Sequence, residues 1–162
     1  MAAMAEAAPR VGLGFDVHAW ADDDRALWLG SVRFGGERGL SGHSDGDAVC
    51  HALADALLGA AALGDVGEHF PDDDPELEGV AGAILLGRAL ALVQGEGLTF
   101  GSCDLTVICE RPAISPYRNA MRLSLAEVLG APASAVSVKA TRPEGLGLAG
   151  EGVGCMAVVL LG

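Results

Sequence analysis

An α+β fold, built as a two-layer sandwich of a mixed β-sheet with helices on one face, is what the order of elements in this chain predicts. Three observations carry that expectation. Short apolar runs with strand propensity stand near the start, in the middle and at the end of the chain. Between them, longer stretches repeat apolar residues at three- and four-residue steps and stop at glycine. The length, 162 residues, suits one domain with a real core and is too short for two ordinary ones.

Taken in order, residues 1–9 are Ala-rich, end in Pro9 and read as a disordered N-terminal extension, leaving 10–162 as a single domain. Arg10 to Phe15 reads as a strand ending at Asp16 and His18, and Ala26 to Phe34 as a second strand, hairpin-paired with the first. Gly35, Gly36 and Gly39 mark a flexible turn. Asp47 to Leu63 predicts a helix, with Val49, Leu53, Ala56, Leu57 and Ala60 on its apolar side, Ser44 or Asp45 as N-cap and Gly64 as stop. Asp65 to Gly79, with seven acidic residues and no periodicity, reads as a long loop of the kind often used as a lid. A second helix is expected over Val80 to Gln94 and a third over Pro116 to Leu129, opened by Ser115-Pro116 and closed by Gly130. Cys103 to Cys109, Val136 to Thr141 and Cys155 to Leu161 are the remaining strands, and the glycine-rich Gly145 to Gly154 is read as irregular.

Composition narrows the function. The net charge is -12 and Lys139 is the one lysine, which excludes a nucleic-acid footprint and a P-loop. Anionic ligands would have to be held by metal ions, backbone amides and a few arginines. The four cysteines form no C-x-x-C pair, so neither a zinc finger nor a disulfide framework is expected. With no secretory signal and no apolar run long enough to span a membrane, the reading is of a soluble cytoplasmic protein. The hydrophobic fraction is 51% but only 4% is aromatic, giving a small-residue aliphatic core that a partner subunit could complete.

The chemistry concentrates in two stretches. Asp16-Val17-His18 puts a carboxylate and an imidazole on the same side of an extended backbone, and His43-Ser44-Asp45-Gly46-Asp47-Ala48-Val49-Cys50-His51 runs into the first helix. Asp16, His18 and His51 make a three-ligand set for zinc or a similar divalent ion, leaving a fourth position open as catalytic sites do. Asp47 and Asp55, four residues either side of His51, are candidates to accept a hydrogen bond from its second ring nitrogen. His69 has no partner in sequence. Gly12-Leu13-Gly14 lacks the third glycine of a dinucleotide fingerprint. Thr141-Arg142-Pro143-Glu144, at a strand end, offers Glu144 to a second divalent metal.

These blocks resemble the 2-C-methyl-D-erythritol 2,4-cyclodiphosphate synthase family of the non-mevalonate isoprenoid pathway. The resemblance runs from Arg10 to Leu161 and rests on GFDVH, GHSDGDAVCHALADALLGAAALGDVGEHFPDDDP, the ERP segment and VKAT. It implies a homotrimer with active sites between neighbouring subunits. It also implies an intramolecular phosphoryl transfer, in which the 2-phosphate of 4-diphosphocytidyl-2-C-methyl-D-erythritol 2-phosphate attacks the β-phosphate and releases CMP. Carried over by motif, Asp16, His18 and His51 hold zinc, and Glu144 holds magnesium or manganese. The substrate lies along Asp16, Val17 and His18, with His43 and Ser44 beside the reacting phosphate and His43 in a catalytic role. Asp65, Val66 and Gly67 bind the erythritol hydroxyls, and Phe70, Pro71, Asp72, Asp73 and Asp74 form a mobile substrate loop. Cys109, Glu110, Arg111, Pro112, Ala113, Ile114 and Ser115, with Ala140 and Thr141, form the cytidine pocket, and Arg142, Pro143, Glu144 and Leu148 also bind substrate, Arg142 facing its diphosphate.

Departures gather at the nucleotide and phosphate end. Ala113 follows Pro112 where the family commonly has lysine. Arg142 and Pro143 stand where the family has threonines, so the catalytic position of that run is an arginine here. Gly147-Leu148-Ala149-Gly150-Glu151-Gly152 lacks an Arg-Gly pair. Two other functions compete with the cyclase: a catalytically weakened trimeric scaffold that binds metal or isoprenoids, and a zinc phosphohydrolase in which metal-bound hydroxide attacks.

Overall fold

Alternation decides the first strand. In β1, Arg10–Ala19, the even-numbered residues Gly12 to His18 face one side, and Val11, Leu13, Phe15 and Val17 face the other. The computed structural model describes residues 8–162 and carries this strand past Phe15, so Asp16 and His18 stand within a strand rather than beyond its end. Of the expected N-terminal extension, residues 1–7 lie outside the described residues.

The expected hairpin between the first two strands does not form. Gly30 and Ser31 both take positive φ, 60° and 62°, the mirror-image turn of a two-residue hairpin. ALWLGSVRF therefore folds back on itself as β2, Ala26–Leu29, and β3, Val32–Arg38, a separate two-stranded sheet. Gly35 and Gly36 belong to β3 and are not a turn.

Strand β1 pairs instead with the far end of the chain. The main sheet has the order β1-β6-β4-β5, where β4 is Phe100–Ile108, β5 is Val136–Thr141 and β6 is Gly152–Leu161. Its pairs are antiparallel except β4 with β5, which makes the sheet mixed.

The helices α1, Ala48–Ala60, α3, Gly82–Gly95, and α4, Arg118–Leu129, account for the helical layer, with a single turn α2 at Val66–His69. Helix α1 lies directly on β1. A Cβ built on Gly12 would stand 1.9 Å from the Ala56 carbonyl oxygen, and one on Gly14 1.9 Å from that of Ala52. The Gly-x-Gly pair is thus where a helix touches strand backbone. Leu53, Leu57 and Leu58 of α1 are fully buried, as are Leu105 and Val107 of β4 and Val159 and Leu161 of β6.

Among the described residues, most of the other face of the sheet is open. Val11, Leu13, Phe15 and Val17 of β1 and Met156, Val158 and Leu160 of β6 are between 40% and 68% exposed. Register places Leu13 opposite Val158 and Phe15 opposite Met156, so these residues form one apolar strip. The neighbouring strands present polar groups there, including the Asp104–Lys139 ion pair.

Three helix starts differ from expectation, α3 opening at Gly82 rather than Val80. Asp47, not Ser44 or Asp45, caps α1, accepting from the amides of Val49 and Cys50. Helix α4 starts after Tyr117, with no side-chain cap from Ser115. The acidic stretch holds more order than its lack of periodicity implies, because its carboxylates act as caps. Asp65 caps α2 and Asp74 caps a 3-10 turn over Pro75–Leu77. Among the described residues, no helix is long and apolar enough to cross a membrane.

Candidate active site

Strand β1 and helix α1 bring three donor atoms together. Asp16 Oδ2 lies 2.8 Å from His18 Nε2 and 3.4 Å from His51 Nδ1, and the two ring nitrogens are 3.2 Å apart. Bond lengths of about 2.0–2.1 Å to a tetrahedral zinc separate its ligand atoms by about 3.3–3.4 Å, so the triangle fits such an ion with little movement. Asp16 Oδ2 is also, among the described residues, the one buried side-chain nitrogen or oxygen with no hydrogen-bond partner of acceptable geometry. Together the three residues could hold a metal ion. Two imidazoles and a carboxylate suit zinc without excluding other divalent ions.

The electrostatics favour a cation at this point. Burial pushes the Asp16 carboxyl up, but the imidazoles of His18 and His51 set close against it outweigh that and hold the group well below the usual carboxylate range. For His18, burial pushes the imidazole down, and bonding and charge attraction from Asp16 more than reverse that. A cation bound at the triangle would meet a carboxylate already held in its charged form.

The remaining ring nitrogens are fixed. His18 Nδ1 is 2.6 Å from the Ser41 carbonyl oxygen, which can only accept, so Nδ1 carries the proton and Nε2 faces the metal position. His51 Nε2 is 3.1 Å from Ser44 Oγ. That partner is a hydroxyl, whereas the helix spacing pointed to Asp47 or Asp55. Those carboxylates are engaged elsewhere. Asp47 is fully buried and accepts from the amides of Gly30, Ser31, Val49 and Cys50 at 2.7–3.1 Å. Asp55 accepts from the Val66 amide at 3.2 Å.

A cleft of about 440 Å³ opens over the triangle. It is lined by His43 and Ser44, by Asp65, Val66 and Gly67, and by Phe70, Pro71 and Asp72. His43 Nε2 lies 3.0 Å from the Asp74 carbonyl oxygen, which joins the Ser44 segment to the acidic stretch. Asp73 is exposed outside the cleft lining, and Val17 faces the open side of the sheet. His69 Nε2 bonds to the Leu63 carbonyl oxygen at 2.7 Å, a structural role. The lining also includes Asp55, expected beside His51, and Phe15, Gly42, Leu77, Val80 and Leu85, which sequence reasoning did not assign to the site. Leu77 and Leu85 are ordinary buried apolar residues by pattern, so no signal in the chain marks them as lining.

The other predicted residues form a second group at the ends of β4 and β5. Thr141 pairs with Ile108, the Cys109 amide donates to the Thr141 carbonyl at 3.2 Å, and the Gly145 amide donates to Glu110 Oε1 at 3.0 Å. Arg111, Ala113, Ser115, Ala140, Arg142 and Glu144 are exposed here, with Pro112 and Ile114 buried beneath and Pro143 and Leu148 half-buried. None of these residues lines the cleft over the triangle. Within one chain, Glu144 is therefore not gathered with Asp16, His18 and His51.

Known proteins resemble this chain along nearly its whole length. The family model described as the YgbB family matches residues 9–162. The 2-C-methyl-D-erythritol 2,4-cyclodiphosphate synthase of Cereibacter sphaeroides is 49% identical over 94% of this chain and 96% of its own length. The bifunctional enzyme IspD/IspF of Hyphomonas neptunium is also 49% identical, over 95% of this chain, which spans 41% of that longer protein. A solved structure of 2C-methyl-D-erythritol-2,4-cyclodiphosphate synthase in its CDP-bound form superposes with a TM-score of 0.87 at 37% identity, covering 94% of this chain and 100% of that one. With matches of this extent in sequence and in structure, the chain belongs to the YgbB family.

Proposed function

We propose that this chain converts 4-diphosphocytidyl-2-C-methyl-D-erythritol 2-phosphate to 2-C-methyl-D-erythritol 2,4-cyclodiphosphate and CMP. The observation that carries the reading is the Asp16, His18 and His51 triangle at the floor of the cleft, in a chain whose relatives of matching length bear that synthase name. In the reaction, an oxygen of the 2-phosphate bonds to the β-phosphorus while the bond from that phosphorus to the oxygen bridging to CMP breaks. No protein nucleophile is required, so positioning and charge compensation suffice. A zinc ion on the triangle, and magnesium or manganese on Glu144, would offset phosphate charge in a protein with few cations of its own.

The side chains have distinct tasks in this reading. Asp65 uses one carboxylate oxygen to cap α2, leaving the other to accept from an erythritol hydroxyl beside Val66 and Gly67. His43 and Ser44 orient the reacting phosphate, and Phe70 to Asp74 close over the substrate and exclude water. Cys109 to Ser115 with Ala140, Thr141 and Leu148 receive the cytidine. Arg142 takes the catalytic position next to the diphosphate, flanked by Pro143.

Because that second group stands apart from the cleft, the complete site would be assembled from two subunits. We propose a homotrimer formed through the open sheet face, supported by the apolar strip of β1 and β6. Residues 10–162 would serve as the single catalytic domain, in the cytoplasm, where the four free thiols stay reduced.

Incubation with substrate, zinc and magnesium, followed by phosphorus NMR of the products, tests the function. Cyclic diphosphate with equimolar CMP is expected. A linear diphosphate would instead indicate hydrolysis, and metal binding without turnover would indicate a scaffold.

A further inference from the structure

We propose that Arg25 is a positioning residue for the metal centre, acting through the loop 39–42 that holds the His18 imidazole. This rests on the reading of Asp16, His18 and His51 as metal ligands. The Arg25 guanidinium is clamped by Asp23: Nε lies 2.8 and 3.0 Å from the two carboxylate oxygens and Nη2 lies 2.8 Å from Oδ2. The clamp leaves Nη1 aimed at the backbone, where it donates to the Gly42 carbonyl at 2.9 Å and to the Leu40 carbonyl at 3.4 Å. Between those two carbonyls stands that of Ser41, the acceptor that sets the His18 tautomer.

The loop fits tightly on both sides. A Cβ on Gly39 would come within 2.5 Å of the Arg25 Cγ and carbonyl oxygen, so glycine lets the loop lie on that residue. A Cβ on Gly42 would meet His18 Cε1 and Nδ1 at 3.1 Å, so the loop backbone flanks the ring itself. Backbone bonds from Ala21 to Gly39 and from Ser41 to Ala19 secure the upstream half. Arg25 Nη1 is the side-chain donor that holds the downstream half at Gly42.

Stability does not account for this arrangement. The Arg25 and Asp23 side chains are 35% and 57% exposed, and ion pairs of that exposure contribute little to folding. Their geometry is instead that of an outer support, which orients a metal ligand through its hydrogen-bond acceptor. Loss of the support would let the Ser41 carbonyl drift and would free the ring to turn.

The test compares wild type with Arg25→Met and Asp23→Asn in the full chain. Metal-free protein is titrated with zinc against a competing chelator, and cobalt-loaded protein is examined by its visible d–d bands. Arg25→Met should weaken zinc about 10-fold, the lower end of the range seen when such outer partners are lost, and should broaden or shift the cobalt bands. Asp23→Asn should act in the same direction by less. The melting temperature of the metal-free variants should stay within about 2 °C of wild type, as for a surface substitution. Zinc affinity within about threefold of wild type for Arg25→Met, below the range for such partners, would overturn the role, as would an affinity loss matched by lost metal-free stability. Wild type taking up neither zinc nor cobalt would overturn the metal-centre reading itself, and this role with it.

Discussion

Burial is the largest influence on all four thiols, and it favours their protonated form. Burial pushes Cys103 up to about 12 and Cys109 up to about 11 from an ordinary 9.0, with Asp104 adding to the first. At Cys109 the Arg142 charge opposes the rise and Glu110 supports it, and burial prevails. Cys50 and Cys155 move the same way. A thiol raised in the folded state keeps its proton where the unfolded chain has released it. Stability is therefore unaffected below the unfolded value and declines as pH rises from about 9 toward the folded values, by at most about 1.4 kcal/mol per pH unit per thiol. Urea unfolding at pH 7, 9 and 10.5 should show this decline, shallower in Cys103→Ala. Stability that stays level to pH 10.5 would contradict the burial argument.

Among the elements, the contact of α1 with β1 is the one on which the site depends, since it sets His51 against Asp16 and His18. That contact is backbone on backbone at Gly14, where an added Cβ would meet the Ala52 carbonyl oxygen at 1.9 Å and the Ala56 nitrogen at 2.7 Å. Neither atom can swing aside as a flexible side chain would. Gly14→Ala should cost about 3 kcal/mol, as overpacking of a rigid contact does, and should also lower metal affinity by moving the helix. Gly59, on the exposed side of the same helix, meets nothing within 4 Å. Gly59→Ala should instead gain about 0.5–1 kcal/mol through helix propensity and a less flexible unfolded chain. Thermal and urea denaturation of the two variants would give opposite signs, and equal effects would refute the close-contact account.

For the whole molecule, the open sheet face is the surface through which the proposed trimer would assemble. A strip made from Val11, Leu13, Phe15 and Val17 and the β6 residues opposite them is larger than isolated surface hydrophobes require. Leu13→Glu places a charge in the middle of it, 61% exposed in the single chain and so tolerated by the fold. Light scattering should give a trimer mass for wild type and a smaller species for Leu13→Glu, with synthase activity lost alongside the trimer. A monomeric wild type at micromolar concentration would remove the basis for a shared site.

The three longer helices and the Asp-x-His pair were legible in the chain because each follows from a local period, and residue type alone pointed to His51 as the third ligand. Residues two apart on a strand share a side, and a periodic apolar stretch closed by glycine is a helix wherever it packs. Strand partners were not legible. The turn at Gly30 and Ser31 looks like the middle of one apolar run, and β1 finds β6 from the opposite end of the chain. Nor could spacing decide which acceptor each histidine would meet. Asp47 and Asp55 stand at the right interval from His51, yet both bind backbone amides brought in by β2, β3 and α2, and the acceptors are Ser44 Oγ and the Ser41 carbonyl. A backbone carbonyl carries no side-chain signature, and a carboxylate goes to whichever buried amides would otherwise lack a partner. Residue types and local periods marked the candidate ligands, whereas their meeting across β1 and α1, and the competition among distant backbone groups for acceptors, were settled only when the chain folded.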